Sequence, residues 1–142
     1  MSRTRSPPQG RQLMKPGFEP GIAREITIEV TDDMCPAFDG VVLHRCYSTW
    51  ALVHHMEIAA RKVLVDFLED HEEGLGAHVS VDHHAPCKVG KTVRVRAELT
   101  EISHNRVICE VTAHEGDHLI AQGKQIQVVM DKQRIKRMIE EG

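Results

Sequence analysis

Long apolar runs are missing from this chain of 142 residues, and no stretch approaches the roughly 20 apolar residues that a membrane-spanning helix needs. The N-terminal segment is basic (Arg3, Arg5, Arg11, Lys15) but has no apolar core behind it, so it does not read as a secretory signal. Cysteine is sparse. Cys35, Cys46, Cys87 and Cys109 stand apart without a CxxC pair, which argues against a zinc ribbon or a disulfide framework and for free thiols in a reducing compartment. Neither sign of charge dominates: the formal net charge is −3, which speaks against wholesale binding to nucleic acid. There is no GxSxG elbow, no GxxxxGK[ST] loop and no GxGxxG turn, so the common serine-hydrolase and nucleotide-binding templates fall away. Histidine is plentiful, at 10 residues, but in no ligand spacing. No HExxH occurs, His54 and His55 point about 100° apart on a helix, and His83 and His84 point to opposite faces of a strand. The expectation is a cytoplasmic protein with no metal, no cofactor, no nucleic-acid partner and no membrane partner.

What remains is an ordinary globular composition, 41% apolar and 27% charged, long enough for one domain with a real core. Residues 1–17, rich in Ser, Pro, Gly and Arg, read as a flexible arm, and residues 18–142 as the folded domain. The organising stretch runs from Tyr47 to Asp70. On a helical wheel Leu52, Val53, Met56, Ala59, Ala60, Val63, Leu64, Phe67 and Leu68 share an arc of about 180°. His55, Arg61, Lys62, Asp66 and Glu69 fall opposite. The helix should start at Ser48 or Thr49, both good N-cap types, and end between His71 and Gly76.

Period-2 alternation marks the other elements. Ile26, Ile28 and Val30 share one face before the helix. After it, Ala77, Val79, Val81 and His83 are in phase; so are Val93, Val95, Ala97 and Leu99, and then Val107, Cys109, Val111 and Ala113. Turns fall at Ala85-Pro86, Ser103-His104-Asn105 and Glu115-Gly116-Asp117. A last strand covers Leu119 to Met130, and Ile135, Met138 and Ile139 are spaced for a short terminal helix. The fold class is α+β: an antiparallel sheet wrapped around one long central helix, the only element able to cover its apolar face. Such a sheet has exposed edges, and a homodimer joining two sheets edge to edge would remove one.

Three residues could carry chemistry. Glu57 is a carboxylate inside the apolar arc, where a bare charge must be paired, protonated or used. Thr49 opens the helix. His83 is in phase with Val79 and Val81. Each has a plain structural use too: a satisfied core-edge carboxylate, an N-cap, a satisfied core histidine. Together, a hydroxyl, a carboxylate and an imidazole on the inward faces of neighbouring elements could handle a proton and an acyl group.

At these residues the sequence resembles the hot-dog-fold thioesterases, most closely the fluoroacetyl-CoA thioesterase family. The resemblance runs from about Gly17 to Met130. It rests on the Thr49-x7-Glu57 spacing, on GLGAHVSVDHHAP at Gly74 to Pro86, on VGKTVRVRAEL at Val89 to Leu99, and on the HEGD turn. It implies a dimeric hot-dog domain that acts on an acyl-CoA thioester, with Thr49, Glu57 and His83 as catalytic residues and Gly76 near the thioester. It also implies that Glu57 meets His83 of the other subunit. The family's lid phenylalanines correspond to Gly40 and Leu43 here, and its last-strand arginine to Gln127, so the acyl group should differ from fluoroacetyl. Lys88, Lys91 and Arg94 are the cations expected to meet the CoA phosphates. The expected activity is hydrolysis of a small or medium acyl-CoA. A second hot-dog activity, enoyl-thioester hydration or dehydration, and a non-catalytic acyl-CoA-binding dimer are the alternatives.

Overall fold

A computed structural model describes residues 13–142. The alternation read from the sequence sets the sheet. In β5 (Thr92–Ser103) Val93, Val95, Ala97 and Leu99 are buried, while Thr92, Arg94 and Arg96 face solvent. A bulge between Leu99 and Glu101 shifts the phase, so Ile102 is left 39% exposed. β6 (Arg106–Glu115) buries Val107, Cys109, Val111 and Ala113 in the same rhythm. β1 (Ala23–Glu29), β4 (Glu72–His83) and β7 (His118–Asp131) complete a five-stranded antiparallel sheet in the order β1-β5-β6-β7-β4. A two-stranded hairpin, β2 (Ala37–Phe38) with β3 (Val41–Val42), precedes the helix.

The sheet curls around α1 (Thr49–Val65), which buries Ala51, Leu52, Met56, Ala59, Ala60, Val63 and Leu64 against it. The α+β architecture expected from the periodicities is the one observed. α2 (Lys132–Glu141) closes the described chain, with the Asp131 side chain accepting from Gln133 N–H as its N-cap. No helix among the described residues is long and apolar enough to cross a membrane.

Three expectations need correction. The helix ends at Val65, not between His71 and Gly76. Phe67 and Leu68 keep the helical phase, but the chain has already turned: Phe67 N–H donates to Leu64 O, and the Phe67 ring packs on Phe18. Gly74 and Gly76, in the stretch where the helix was expected to end, lie inside β4. Finally, β4 is an edge strand, so Ala77 and Val79, expected on a buried face, are exposed.

Of the expected N-terminal arm, residues 1–12 lie outside the described residues. Met14 is buried, and its N–H donates to the Glu72 carboxylate at 3.0 Å. That carboxylate also accepts from Glu69 N–H at 2.9 Å. Glu72 is thus a fully buried carboxylate satisfied by backbone donors, at the place where the chain leaves its helix.

Candidate active site

The start of α1 is built so that one hydroxyl caps and the next is left over. Ser48 is the N-cap: its Oγ accepts from Ala51 N–H at 3.1 Å. Thr49 therefore does not cap the helix, and its Oγ1 lies 2.9 Å from His83 Nδ1. His83 is the last residue of β4, held opposite Ala121 of β7. The edge of the Tyr47 ring packs against its imidazole. Among the described residues, His83 Nε2 is buried without a hydrogen-bond partner. Burial holds the His83 pKa below its ordinary value; the backbone at Ala85 opposes this, and neighbouring His84 adds to it. Pro36, Cys46, Tyr47, Thr49, His83 and His84 line an open cleft of about 290 Å³ here.

Behind this pair stands one that the helical wheel placed wrongly. His55 was expected on the polar side of α1; it is 7% exposed, with Nδ1 2.5 Å from the Tyr47 hydroxyl. Burial lowers the His55 pKa, helped by adjacent His54, and burial pushes the Tyr47 phenol up, helped by Cys87. Both groups are thereby held neutral, and their bond fixes the ring that His83 leans on. Tyr47 is the chain's one tyrosine, and its position eight residues before His55 was the available signal.

Glu57 is not enclosed by the apolar arc. Within one chain it is exposed, at a second cleft of about 280 Å³ shared with Gly74, Gly76, Gln125 and Gln127. A Cβ on Gly76 would lie 3.0 Å from Glu57 Oε2, and one on Gly74 would lie 3.3 Å from Gln127 Oε1. The two glycines open the wall of this cleft. Gln127 uses its Nε2 to donate to Ala60 O at 3.1 Å. Gln125 is 2% exposed, and its Oε1 has no partner among the described residues. The sequence reading passed over Gln125; a glutamine in phase with the core-facing Val129 was the sign.

One chain keeps these two half-sites apart. Thr49 and Glu57 are eight residues apart on one helix, about 12 Å along its axis. Gly76 and His83 are separated by about 23 Å of strand. The hydroxyl and imidazole are brought together as expected, and the carboxylate is not. The shared inward face expected for all three is corrected as well: Thr49 and Glu57 are exposed and His83 is half-buried, all at clefts rather than in the core.

The remaining expected residues divide. Gly76 stands beside Glu57. Leu43 is exposed in the lid segment, alongside exposed Phe38, Val41 and Val42, and its N–H donates to Pro36 O. Lys88 is exposed, and its backbone forms an isolated antiparallel bridge with that of Cys46, which lines the first cleft. Lys91 lies 3.9 Å from Glu115. Arg94 is engaged on the outer face of the sheet, with Glu25 at 3.3 Å and Gly116 O at 2.8 Å. None of these three cations lines either cleft.

The model of the family described as fluoroacetyl-CoA-specific thioesterase matches residues 30–133. The fluoroacetyl-CoA thioesterase of Streptantibioticus cattleyicolor is 30% identical over 93 residues, covering 66% of this chain and 67% of that protein. A Thermus thermophilus protein of the thioesterase superfamily superposes with a TM-score of 0.85 at 33% identity, over 89% of this chain and 93% of that one. A hot-dog-like protein from Thermanaerovibrio acidaminovorans superposes with a TM-score of 0.80 at 21% identity, over 89% and 92% of the two chains.

Proposed function

Because the chain belongs to the fluoroacetyl-CoA-specific thioesterase family, which matches residues 30–133, we propose that it hydrolyses a small or medium acyl-CoA thioester with Thr49, Glu57 and His83. The observation that carries this reading is the 2.9 Å pairing of Thr49 with His83, which leaves His83 Nε2 buried and unpaired beside an open cleft. Buried polar atoms are rarely left unsatisfied, and an imidazole held neutral with one nitrogen unused is equipped to give and take a proton.

In this reading the catalytic unit is a homodimer joined along the free edge of β4, so that Glu57 of one subunit faces Thr49 and His83 of the other. Glu57 attacks the thioester carbonyl, forming a mixed anhydride that water then cleaves to the free acid and the Glu57 carboxylate, or it activates a water to attack directly. Backbone N–H groups near Gly76 receive the oxyanion. The CoA thiolate leaves, with His83 handling its proton and Thr49 fixing the imidazole. Lys88 and Lys91 are the cations for the CoA phosphates; Arg94, already paired with Glu25, is the weakest of the three. The thioesterase unit spans residues 18–142, and the stretch around Met14 docks on it. The free state of all four cysteines fits a reducing cytoplasm.

The test is thiol release, read with a thiol reagent, from a panel of acyl-CoAs. Glu57→Gln is expected to lower turnover by about 10²-fold or more while its circular dichroism and melting stay those of the parent. Full activity in that variant would remove Glu57 from the site. Loss of enoyl absorbance without thiol release would replace hydrolysis by hydration.

A further inference from the structure

The second cleft has a chemical character that fits one kind of acyl group. Its floor is formed by two glutamines of β7, Gln125 and Gln127, which are 2% and 4% exposed. Gln127 is occupied, since its amide donates to Ala60 O. Gln125 is not: its Oε1 is buried with no partner among the described residues. Its Nε2 lies on the Gly76 side, 3.6 Å from where a Gly76 Cβ would stand, and Glu57 Oε2 lies 3.0 Å from that same point. The amide is therefore next to the carboxylate assigned to the reaction, in the space that the absence of a Gly76 side chain opens.

A side-chain amide offers a donor and an acceptor side by side in one plane. The group that satisfies both ends must offer an acceptor and a donor on neighbouring atoms. A 2-hydroxyacyl thioester does this, with its carbonyl oxygen and its hydroxyl on adjacent carbons. An alkyl acyl group answers only the donor. So does fluoroacetyl, because fluorine brings no hydrogen to Oε1. Resting on the thioesterase reading above, we propose that this cleft selects 2-hydroxyacyl-CoA thioesters, with Gln125 Nε2 donating to the thioester carbonyl and Oε1 accepting from the 2-hydroxyl. Gln125 is then both a specificity residue and a donor to the oxygen on which charge develops.

Matched pairs test the proposal: 2-hydroxyacetyl-CoA against acetyl-CoA and fluoroacetyl-CoA, and 2-hydroxypropionyl-CoA against propionyl-CoA. The parent protein is expected to favour each hydroxylated member by about tenfold or more in kcat/KM. 3-Hydroxybutyryl-CoA and butyryl-CoA, whose hydroxyl lies one carbon too far, should show no such preference. Gln125→Met keeps the length and removes both hydrogen-bonding ends, so it should bring the 2-hydroxy ratio close to one. Equal rates within the pairs, or a preference that survives Gln125→Met, overturn the proposal and leave hydrolysis standing. Absence of thiol release from every compound overturns hydrolysis instead. The same pairs measured by calorimetric binding then decide about Gln125: a tenfold tighter hydroxylated member supports it, and equal binding removes it.

Discussion

His83 sits where desolvation weakens its hold on a proton, and the sign of the consequence is definite. Its pKa is lowered from 6.5, with burial the largest cause. If catalysis starts from the neutral imidazole, kcat/KM should stay near its maximum as pH falls through 6.5 and drop only below it. A pH–rate profile whose acid inflection lies above that value would contradict the role given to His83. The same shift, with the matching one at His55, works on stability. The unfolded chain takes up these protons more readily than the folded one, so stability is intact above the ordinary histidine value and falls as pH drops through the lowered ones. The Tyr47–His55 bond invites a second measurement. Tyr47→Phe keeps the ring against His83 but strands the buried Nδ1 of His55, which should cost about 1–3 kcal/mol in denaturant unfolding. Adding His55→Leu should recover part of that loss, because the stranded nitrogen is then gone. At this scale the sequence was read unevenly. The nearness of Thr49 to His83 was legible because the family resemblance names both residues. His55 was not, because a wheel ranks residues by polarity and cannot see a phenol arriving from outside the helix. Glu57, placed on the apolar arc, is exposed; the buried carboxylate is Glu72, which the sequence did not single out because its partners are the backbone of Met14 and Glu69, contacts that no periodicity encodes.

Elements defined by alternation were the most legible. The strands now labelled β5, β6 and β7 fall close to where period 2 placed them, since half-buried strands leave that imprint directly. The helix end was not legible, because Phe67 and Leu68 are apolar in phase yet serve a turn that packs on Phe18. Nor was the exposure of β4, since an edge strand waiting for a neighbour and a buried strand show the same pattern. β4 is held by its antiparallel ladder to β7, and at Gly123 of β7 the two backbones approach closely. A Cβ there would lie 1.9 Å from Ser80 O and 2.8 Å from Val81 Cα, both backbone atoms that no side-chain rotation can move aside. Gly123→Ala should therefore pry β4 from β7 and lower unfolding stability by about 1–3 kcal/mol, as overpacking typically does. Because β4 carries both Gly76 and His83, protection of its amides from hydrogen exchange should fall before that of β5 and β6 does. A Gly123→Ala protein as stable as the parent would mean that the two strands do not approach so closely.

In the dimeric reading proposed above, the two half-sites that one chain keeps apart meet between two copies. One copy exposes Val79 on the unpaired edge of β4, together with Phe38, Val41, Val42 and Leu43 in the lid segment and Trp50 at the start of α1. An open apolar strand edge is a surface that proteins cover. If two copies pair β4 with β4 antiparallel about a two-fold axis, the His83 end of one strand comes beside the Gly76 end of the other, and two composite sites form. Mixing inactive variants tests this without structural work. Glu57→Gln and His83→Ala should each be nearly inactive alone. In a hybrid dimer one site takes its intact Glu57 from the His83→Ala chain and its intact Thr49 and His83 from the other chain; the second site carries both defects. Equal mixing and free exchange make half the dimers hybrid, so about a quarter of the parent activity should return. If each chain instead holds a whole site, every chain in the mixture is defective and nothing returns. Val79→Lys, which places a charge on the joining edge, should shift the protein toward monomer in sedimentation and lower thiol release in proportion to the dimer lost. A monomeric Val79→Lys protein at full activity would show that one chain suffices, and the two clefts would then have to be read as separate sites.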